Sequence, residues 1–290
     1  MANLINQRQN DVEAINLLYC QRITYDRAKT LGIIIFMIAI FSTATILLPF
    51  WFAVERNILA SANIIVALLN SMLFIYRNRI QELGARFQQL FDCHVYNFKQ
   101  SNYDKIKDIP VDDINVVRRS KKICELKRKH LNCESLENWY SDVSEFSNEP
   151  AAILMCQLEN VKTVYFSICI AILTFLLLFT FTLYSDKTIN YILNLVISLP
   201  LLMYVLLWSR DSITDYLNYR RLKDSAENLY GRLWESGKIQ IEDCVGLQND
   251  IFLYRKSCLL VPNYFYWFFR NSYQNDSTNT TKYRIAFQII

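Results

Sequence analysis

A dense run of basic side chains lies near the middle of the chain, at Arg118-Arg119-Ser120-Lys121-Lys122 and Lys127-Arg128-Lys129. Seven of the twelve residues from 118 to 129 are Lys or Arg. Such a density can neutralise the phosphates of a ligand or of an anionic lipid surface. The same pattern also occurs on solvated helices, and acidic residues at the two ends of this region nearly balance the charge. Both interpretations stay open, and the candidate ligand-binding residues are Arg118, Arg119, Lys121, Lys122 and Arg128.

Asparagine side chains recur inside two otherwise apolar stretches. Asn63 and Asn70 share one face of a predicted helix, and Asn190 and Asn194 lie one turn apart on another. An amide in hydrocarbon needs a partner, so these faces must contact another helix or water. They either hydrogen-bond between helices or line a water path between assembled subunits.

Motifs for catalysis are absent from the sequence. It contains no Gly-rich phosphate loop, no His-Glu metal motif and no Gly-x-Ser-x-Gly turn, and its two histidines are His94 and His130. None of the eight cysteines forms a Cys-x-x-Cys pair, and we expect them to be small buried apolar residues. The sequence therefore predicts a protein that is not an enzyme and holds no metal or cofactor.

Four stretches without Asp, Glu, Lys or Arg are each long enough to cross a membrane. They cover residues 30–54, 57–76, 163–185 and 188–209, or 25, 20, 23 and 22 residues. A helix needs about 20 residues to cross the hydrocarbon layer, which is ~30 Å thick. We predict four transmembrane helices, at about 31–54, 57–76, 163–185 and 188–209.

The four spans pair into two hairpins, because only Glu55-Arg56 and Asp186-Lys187 separate their members. Each of these short loops holds one basic residue, Arg56 or Lys187. The other 29 of the 31 Lys and Arg residues therefore lie on the opposite side of the membrane. An excess of positive charge near span ends marks the cytoplasmic side. We predict a multi-pass protein with both termini in the cytoplasm.

The prediction is thus an all-α integral membrane protein with two transmembrane hairpins and a cytoplasmic helical domain. The domain is formed by the N-terminus, the central insert and the C-terminal region. A single helix is expected over residues 3–29. The predicted parts are an N-terminal helix (1–30), hairpin 1 (31–76), a helical region with the insert (77–162), hairpin 2 (163–209) and a C-terminal helical region with a tail (210–290).

Two similar offsets suggest that the chain is an internal duplication. The pairs Cys20-Gln21 and Cys156-Gln157 stand 136 residues apart, each before a predicted hairpin. Gln89-Leu90-Phe91-Asp92 and Asn228-Leu229-Tyr230-Gly231 stand 139 residues apart, each after one. Two hairpins that enter from the same side would form a parallel repeat, which we hypothesise here.

Several short motifs, in order along the chain, resemble the SMODS-associating four-transmembrane effector domain. They are Tyr25 with Ala28-Lys29, Leu90-Phe91-Asp92, Asn138-Trp139-Tyr140, Ile153 to Asn160, Leu247 to Phe252 ending in Arg255, Val261-Pro262, and Tyr266. The motif residues singled out as candidates are Asp92, Trp139, Tyr140, Cys156, Gln157, Asn160, Gln248, Asp250, Arg255 and Pro262. The basic run at 118–129 is not among the shared motifs.

The resemblance implies a bacterial antiphage effector in the inner membrane. Such a protein is expected to sense a cyclic oligonucleotide made by a partner nucleotidyltransferase, to form homo-oligomers and to permeabilise the lipid bilayer. No DNA or RNA polymer is expected as a partner. A small transporter or channel, or a passive membrane scaffold without ligand gating, are the alternatives that the residues leave open.

Overall fold

The computed structural model describes residues 2–45, 55–98, 136–140, 149–158, 188–236, 238–258 and 260. Within these residues it contains helices and no strand. The helices are α1 (Ala2–Arg8), α2 (Val12–Ala44), α3 (Arg56–Tyr96), α4 (Glu149–Leu158), α5 (Thr188–Ile197), α6 (Leu199–Ser236) and α7 (Ile241–Ser257). The all-helical prediction is confirmed for this part of the chain. The predicted span at 163–185 lies outside the described residues.

Helices α2 and α3 form a long antiparallel hairpin. Both are long and apolar enough to cross a membrane, and only 28% of the most apolar part of each is buried. A core helix of a soluble protein would be mostly buried, so this exposure favours lipid contact. Of the described helices, these two alone meet the criteria for a membrane span.

Helices α5 and α6 run alongside this hairpin in the same direction as α3. Ile197 packs near Ala60, Tyr204 lies with its ring centroid 6.4 Å from that of Phe74, and Asp211 contacts Asn78. The predicted fourth span, 188–209, is interrupted at Ser198, between the two helices. Pro200 stands in the first turn of α6, where its missing N–H breaks the helical ladder. That this segment spans the membrane stays a prediction.

The far ends of the long helices meet α1, α4 and α7 in a helical bundle with one large apolar core. Helix α4 lies at its centre, because every residue from Ala151 to Leu158 is buried. The structure thus buries all faces of this part of the helix. Four of the five described cysteines are buried, and Cys258 is partly exposed.

The single helix predicted over residues 3–29 is wrong, because the chain turns at residues 9–11 between α1 and α2. Contacts with a distant part of the chain cause this turn. The Gln9 and Asn10 side chains bind the segment at 138–140 instead of projecting from a helix. Asp11, in an extended conformation, then begins α2.

The glutamines of the two Cys-Gln pairs bond to glutamines on helices that do not correspond to each other in the two halves of the chain. Gln21 donates to Oε1 of Gln88 on α3 at 3.2 Å, whereas Gln157 donates to Oε1 of Gln248 on α7 at 3.0 Å. The position that corresponds to Gln88 in the second half is on α6 and not on α7. The parallel repeat therefore stays a hypothesis.

A buried polar cluster as the candidate functional site

The carboxylate of Asp92 is the centre of a polar cluster inside the helical bundle. The hydroxyl of Tyr140 donates to its Oδ1 at 2.5 Å, and the amide of Gln248 donates to its Oδ2 at 2.7 Å. Arg255 forms an ion pair with the same Oδ2. Asp92 is fully buried and Arg255 nearly so. A buried charge is stable only when it is paired and hydrogen-bonded, and the cluster satisfies both requirements for Asp92.

Glutamine side chains extend this arrangement to a further helix. Gln248 also donates to Oε1 of Gln89 at 2.9 Å. Gln157 on α4 donates to Gln248 and, at 2.8 Å, to the backbone carbonyl of Cys244. We call the six residues the Asp92 cluster: Gln89, Asp92, Tyr140, Gln157, Gln248 and Arg255. It joins α3, α4, α7 and the segment at 136–140.

The segment at 136–140 is held by side chains from the turn between α1 and α2. The backbone N–H of Tyr140 donates to Oε1 of Gln9 at 2.9 Å, and the amide of Gln9 donates back to the Tyr140 carbonyl at 3.5 Å. The ring of Tyr140 also stacks on Phe91, with centroids 5.9 Å apart. The tyrosine therefore reaches Asp92 from a backbone that is fixed on both sides.

The protonation states of the cluster are determined by burial and by the charge of Asp92. Burial raises the pKa of Tyr140 well above its usual value, and the Asp92 carboxylate raises it further. Burial alone would lower the pKa of Arg255, but its interactions with Asp92, Tyr140 and Tyr25 together raise it. Tyr140 therefore remains a hydrogen-bond donor and Arg255 a cation at neutral pH, so the contacts of both groups with Asp92 are maintained.

Among the residues that the structure describes, two atoms of the cluster have no hydrogen-bond partner, Nη2 of Arg255 and Oε1 of Gln157. Asp92, Gln157 and Gln248 are all fully buried. Unsatisfied buried polar atoms of this kind lower stability, by about 1–3 kcal/mol each in general. The cluster is thus less stable than a complete network would be, and a modest rearrangement of α7 could alter it.

A second buried charge lies where the hairpin meets the bundle. Nη2 of Arg77 is 3.6 Å from Oδ2 of Asp211, and its guanidinium carbon lies 4.6 Å from the centroid of the Phe74 ring. Asn78 donates to the same Asp211 oxygen at 3.4 Å. The pair joins α3 to α6. Arg77 directly follows the second predicted span, and Asp211 lies two residues after the fourth. The sequence therefore shows that both charges are near span ends, but only the fold shows that they are in contact.

The asparagines of the first hairpin are both buried and bonded inside it. Asn63 donates to Oγ1 of Thr45 at 2.9 Å, and Asn70 donates to the backbone carbonyl of Ile35 at 3.2 Å. Asn194 is partly buried, and the side chain of Asn190 lies outside the described residues.

The structure brings five of the ten motif residues selected from the sequence into the Asp92 cluster. These are Asp92, Tyr140, Gln157, Gln248 and Arg255. Cys156 is buried beside them in the apolar core, Trp139 is exposed, and Asp250 accepts a hydrogen bond from Ser225 at 2.7 Å. The described residues do not include Asn160, Pro262, Arg118, Arg119, Lys121, Lys122 and Arg128.

Sequence reasoning missed Gln89 as a cluster member and Gln9 and Asn10 as partners of the 138–140 segment. No local pattern distinguishes these amides from solvent-exposed ones. In the described part of the chain, no group of His, Cys, Asp and Glu could hold a metal ion.

The structure joins long apolar helices to a helical bundle that has a polar cluster at its centre. This architecture is that of a helical membrane protein. The family model of the SMODS-associating 4TM effector domain matches residues 3–283, so the chain belongs to that family and the resemblance of its motifs is confirmed. The family name describes a membrane effector associated with SMODS. No curated protein and no solved structure matches the chain.

Proposed function

We propose that the protein is an antiphage effector of the bacterial inner membrane that senses a cyclic oligonucleotide and then permeabilises the bilayer. Its helical bundle faces the cytoplasm, where a partner nucleotidyltransferase makes the messenger. Binding shifts the population from a closed to an open assembly of several subunits. A ligand can do this only by binding the open state more tightly.

The observation that carries the proposal is the continuity of α3. A single helix carries Asn63 and Asn70 in its apolar half and Gln89 and Asp92 in the bundle. From Asn63 to Asp92 it rises about 43 Å at 1.5 Å per residue. A change in the bundle can therefore move the membrane hairpin without an intervening hinge.

The far end of α7 is attached to the same helix close to the membrane. The amide of Gln81 on α3 donates to the backbone carbonyl of Lys256 at 3.3 Å. The side chain of Lys256 also lies 3.2 Å from Oε1 of Glu82. Helix α7 thus binds α3 at two levels, through the Asp92 cluster and at its own C-terminal end. A ligand that displaces α7 would release both.

The messenger site is assigned by this proposal to the cytoplasmic region, with the basic run around Arg118 to Arg128 as candidate phosphate ligands. Phosphate recognition by clustered Arg and Lys is a common mode of nucleotide binding. The permeation path is assigned to an assembly of hairpins from several copies. Since Asn63 and Asn70 are bonded within one hairpin, they act as contacts between helices in the closed state.

The proposal is tested in bacterial cells that express the protein with a cyclic-oligonucleotide synthase or with its catalytically inactive variant. We expect loss of membrane potential only with the active synthase. Depolarisation with both would indicate an ungated channel, and depolarisation with neither would favour a transporter or a passive scaffold. A synthase gene beside the effector gene in its genome would add independent support.

A further inference from the structure

Trp139 is an exposed aromatic residue on a backbone that is fixed on both sides. Its side chain is 38% exposed, although Leu136 and Tyr140 nearby are buried. The N–H of Asn138 donates to Oδ1 of Asn10 at 2.9 Å, and Nδ2 of Asn10 donates to Oδ1 of Asn138 at 3.0 Å. On the other side, the backbone N–H and carbonyl of Tyr140 both bond to the side chain of Gln9.

The backbone at Asn138 also has a special conformation, with φ at 52°. Asn adopts this left-handed region more readily than other residues that carry a Cβ. The turn that it creates places one residue between two anchored neighbours. The backbone of Trp139 is therefore fixed before any partner arrives, which reduces the ordering cost of binding.

Polar and charged groups lie on the surface around this turn. Asp11 follows Asn10 and accepts a hydrogen bond from, or pairs with, Nε2 of His94 at 3.1 Å. Arg8 donates to the carbonyl of Val95 at 3.2 Å and lies 3.8 Å from Glu149. Amides, an imidazole–carboxylate pair and a guanidinium–carboxylate pair thus lie on the elements that hold this turn. In sites for single-stranded nucleotides, bases stack on exposed aromatic rings, and polar groups contact base edges and phosphates.

We infer that Trp139 is a stacking platform for a base of the cyclic oligonucleotide, an inference that rests on the proposed function. The turn at residues 138–140 positions the backbone of Trp139, and the paired amides of Asn10 and Asn138 lie next to it in the turn. Because Tyr140 bonds to Asp92, a change of the turn on binding is transmitted to the Asp92 cluster. Ligand binding and the contact between α3 and α7 are then connected through one residue.

The test is calorimetric titration of the purified full-length protein with cyclic di- and trinucleotides of adenine, guanine and uracil. For any probe that binds the natural protein, Trp139→Ala is expected to weaken binding by about 5- to 150-fold, the range for loss of one base–aromatic stack. Trp139→Phe, which keeps a ring, should stay within about 10-fold of the natural protein, since stacking tolerates exchange of one aromatic for another.

Two further variants separate stacking from a structural effect. Trp139→Leu keeps much of the apolar area but has no π-face, so it should fold like the natural protein. It should nevertheless bind as weakly as Trp139→Ala, which separates loss of stacking from a folding defect of the alanine variant. Trp234→Ala removes another exposed tryptophan, 48% exposed on α6, and should bind normally. Equal affinity of Trp139→Leu and the natural protein overturns the inference alone. Absence of binding to the natural protein by every probe overturns the proposed function and the inference with it.

Discussion

Replacing Asp92 by Asn tests whether the Asp92 cluster holds the bundle together. The substitution keeps the volume of the side chain, so it opens no cavity. It removes the negative charge that neutralises Arg255, and it places an amide donor or a weaker acceptor opposite Gln248, whose Nε2 now donates to Oδ2 at 2.7 Å. Arg255 would be left as a nearly buried cation without a counterion.

The expected loss is large compared with the stability of a typical domain. Removing one partner of a buried ion pair generally costs about 3–5 kcal/mol. A folded domain is stable by only about 5–15 kcal/mol. At about 2–4 °C per kcal/mol for a chain of this size class, the melting temperature should fall by about 6–20 °C. Adding Arg255→Met should recover part of this loss, because no unpaired charge then remains.

The assay is thermal unfolding of the detergent-purified protein, measured as the monodisperse fraction that survives heating at a fixed rate. Asp250→Asn is the matched control, since Asp250 lies on α7 close to the cluster and accepts its hydrogen bond from Ser225 in a half-buried position. It should lower the melting temperature by no more than about 2–4 °C, equivalent to about 1 kcal/mol. Similar small shifts for Asp92→Asn and Asp250→Asn would refute the reasoning.

Four further substitutions test packing, titration and the membrane hairpin. Gly84→Ala should lower stability by about 1–3 kcal/mol, because the added Cβ would lie 2.9 Å from Cε1 of Tyr25. Gly246→Ala, with nothing within 4 Å of its Cβ, should gain up to about 1 kcal/mol from helix propensity. Burial raises the pKa of Cys244 from 9.0 to about 12. Its contribution to stability is therefore complete below about pH 9 and decreases toward pH 12, and Cys244→Ala should flatten this alkaline decline in melting temperature. Asn70→Leu should lower stability by about 0.6–2 kcal/mol through loss of one bond between helices, while membrane leakage persists.

Each of these expectations has an outcome that contradicts it. Equal effects of Gly84→Ala and Gly246→Ala would mean that the ring of Tyr25 moves freely. An unchanged alkaline decline in Cys244→Ala would assign that decline to other groups. Loss of leakage at unchanged stability in Asn70→Leu would place Asn70 on a water path and not in a contact between helices.

Charge-free length indicated the apolar parts of the long helices from the sequence. The stretch predicted at 57–76 lies within the helix that the structure shows from Arg56 to Tyr96, which continues beyond it into the bundle. Hydrophobic periodicity is a local property, so it predicts elements that local properties form. The same reasoning predicted one helix over residues 3–29. It missed the turn at Gln9 to Asp11, because that turn depends on partners more than 120 residues away.

Five of the six members of the Asp92 cluster were selected by resemblance of short motifs, but their assembly was not predictable. Asp92 and Arg255 are 163 residues apart in the sequence, and no local pattern joins them. Residues 153–158 of another motif lie at the centre of the core, because helices from both halves of the chain surround them.

The most direct test of the account is dye leakage from liposomes of anionic phospholipid that contain the purified protein. Cyclic di- and trinucleotides of adenine, guanine and uracil are added singly, with the linear dinucleotides as controls. We predict that at least one cyclic compound triggers leakage, that the linear compounds do not, and that empty liposomes stay intact. Leakage that is equal with and without every cyclic compound would contradict the central claim that this membrane effector is gated by a cyclic oligonucleotide.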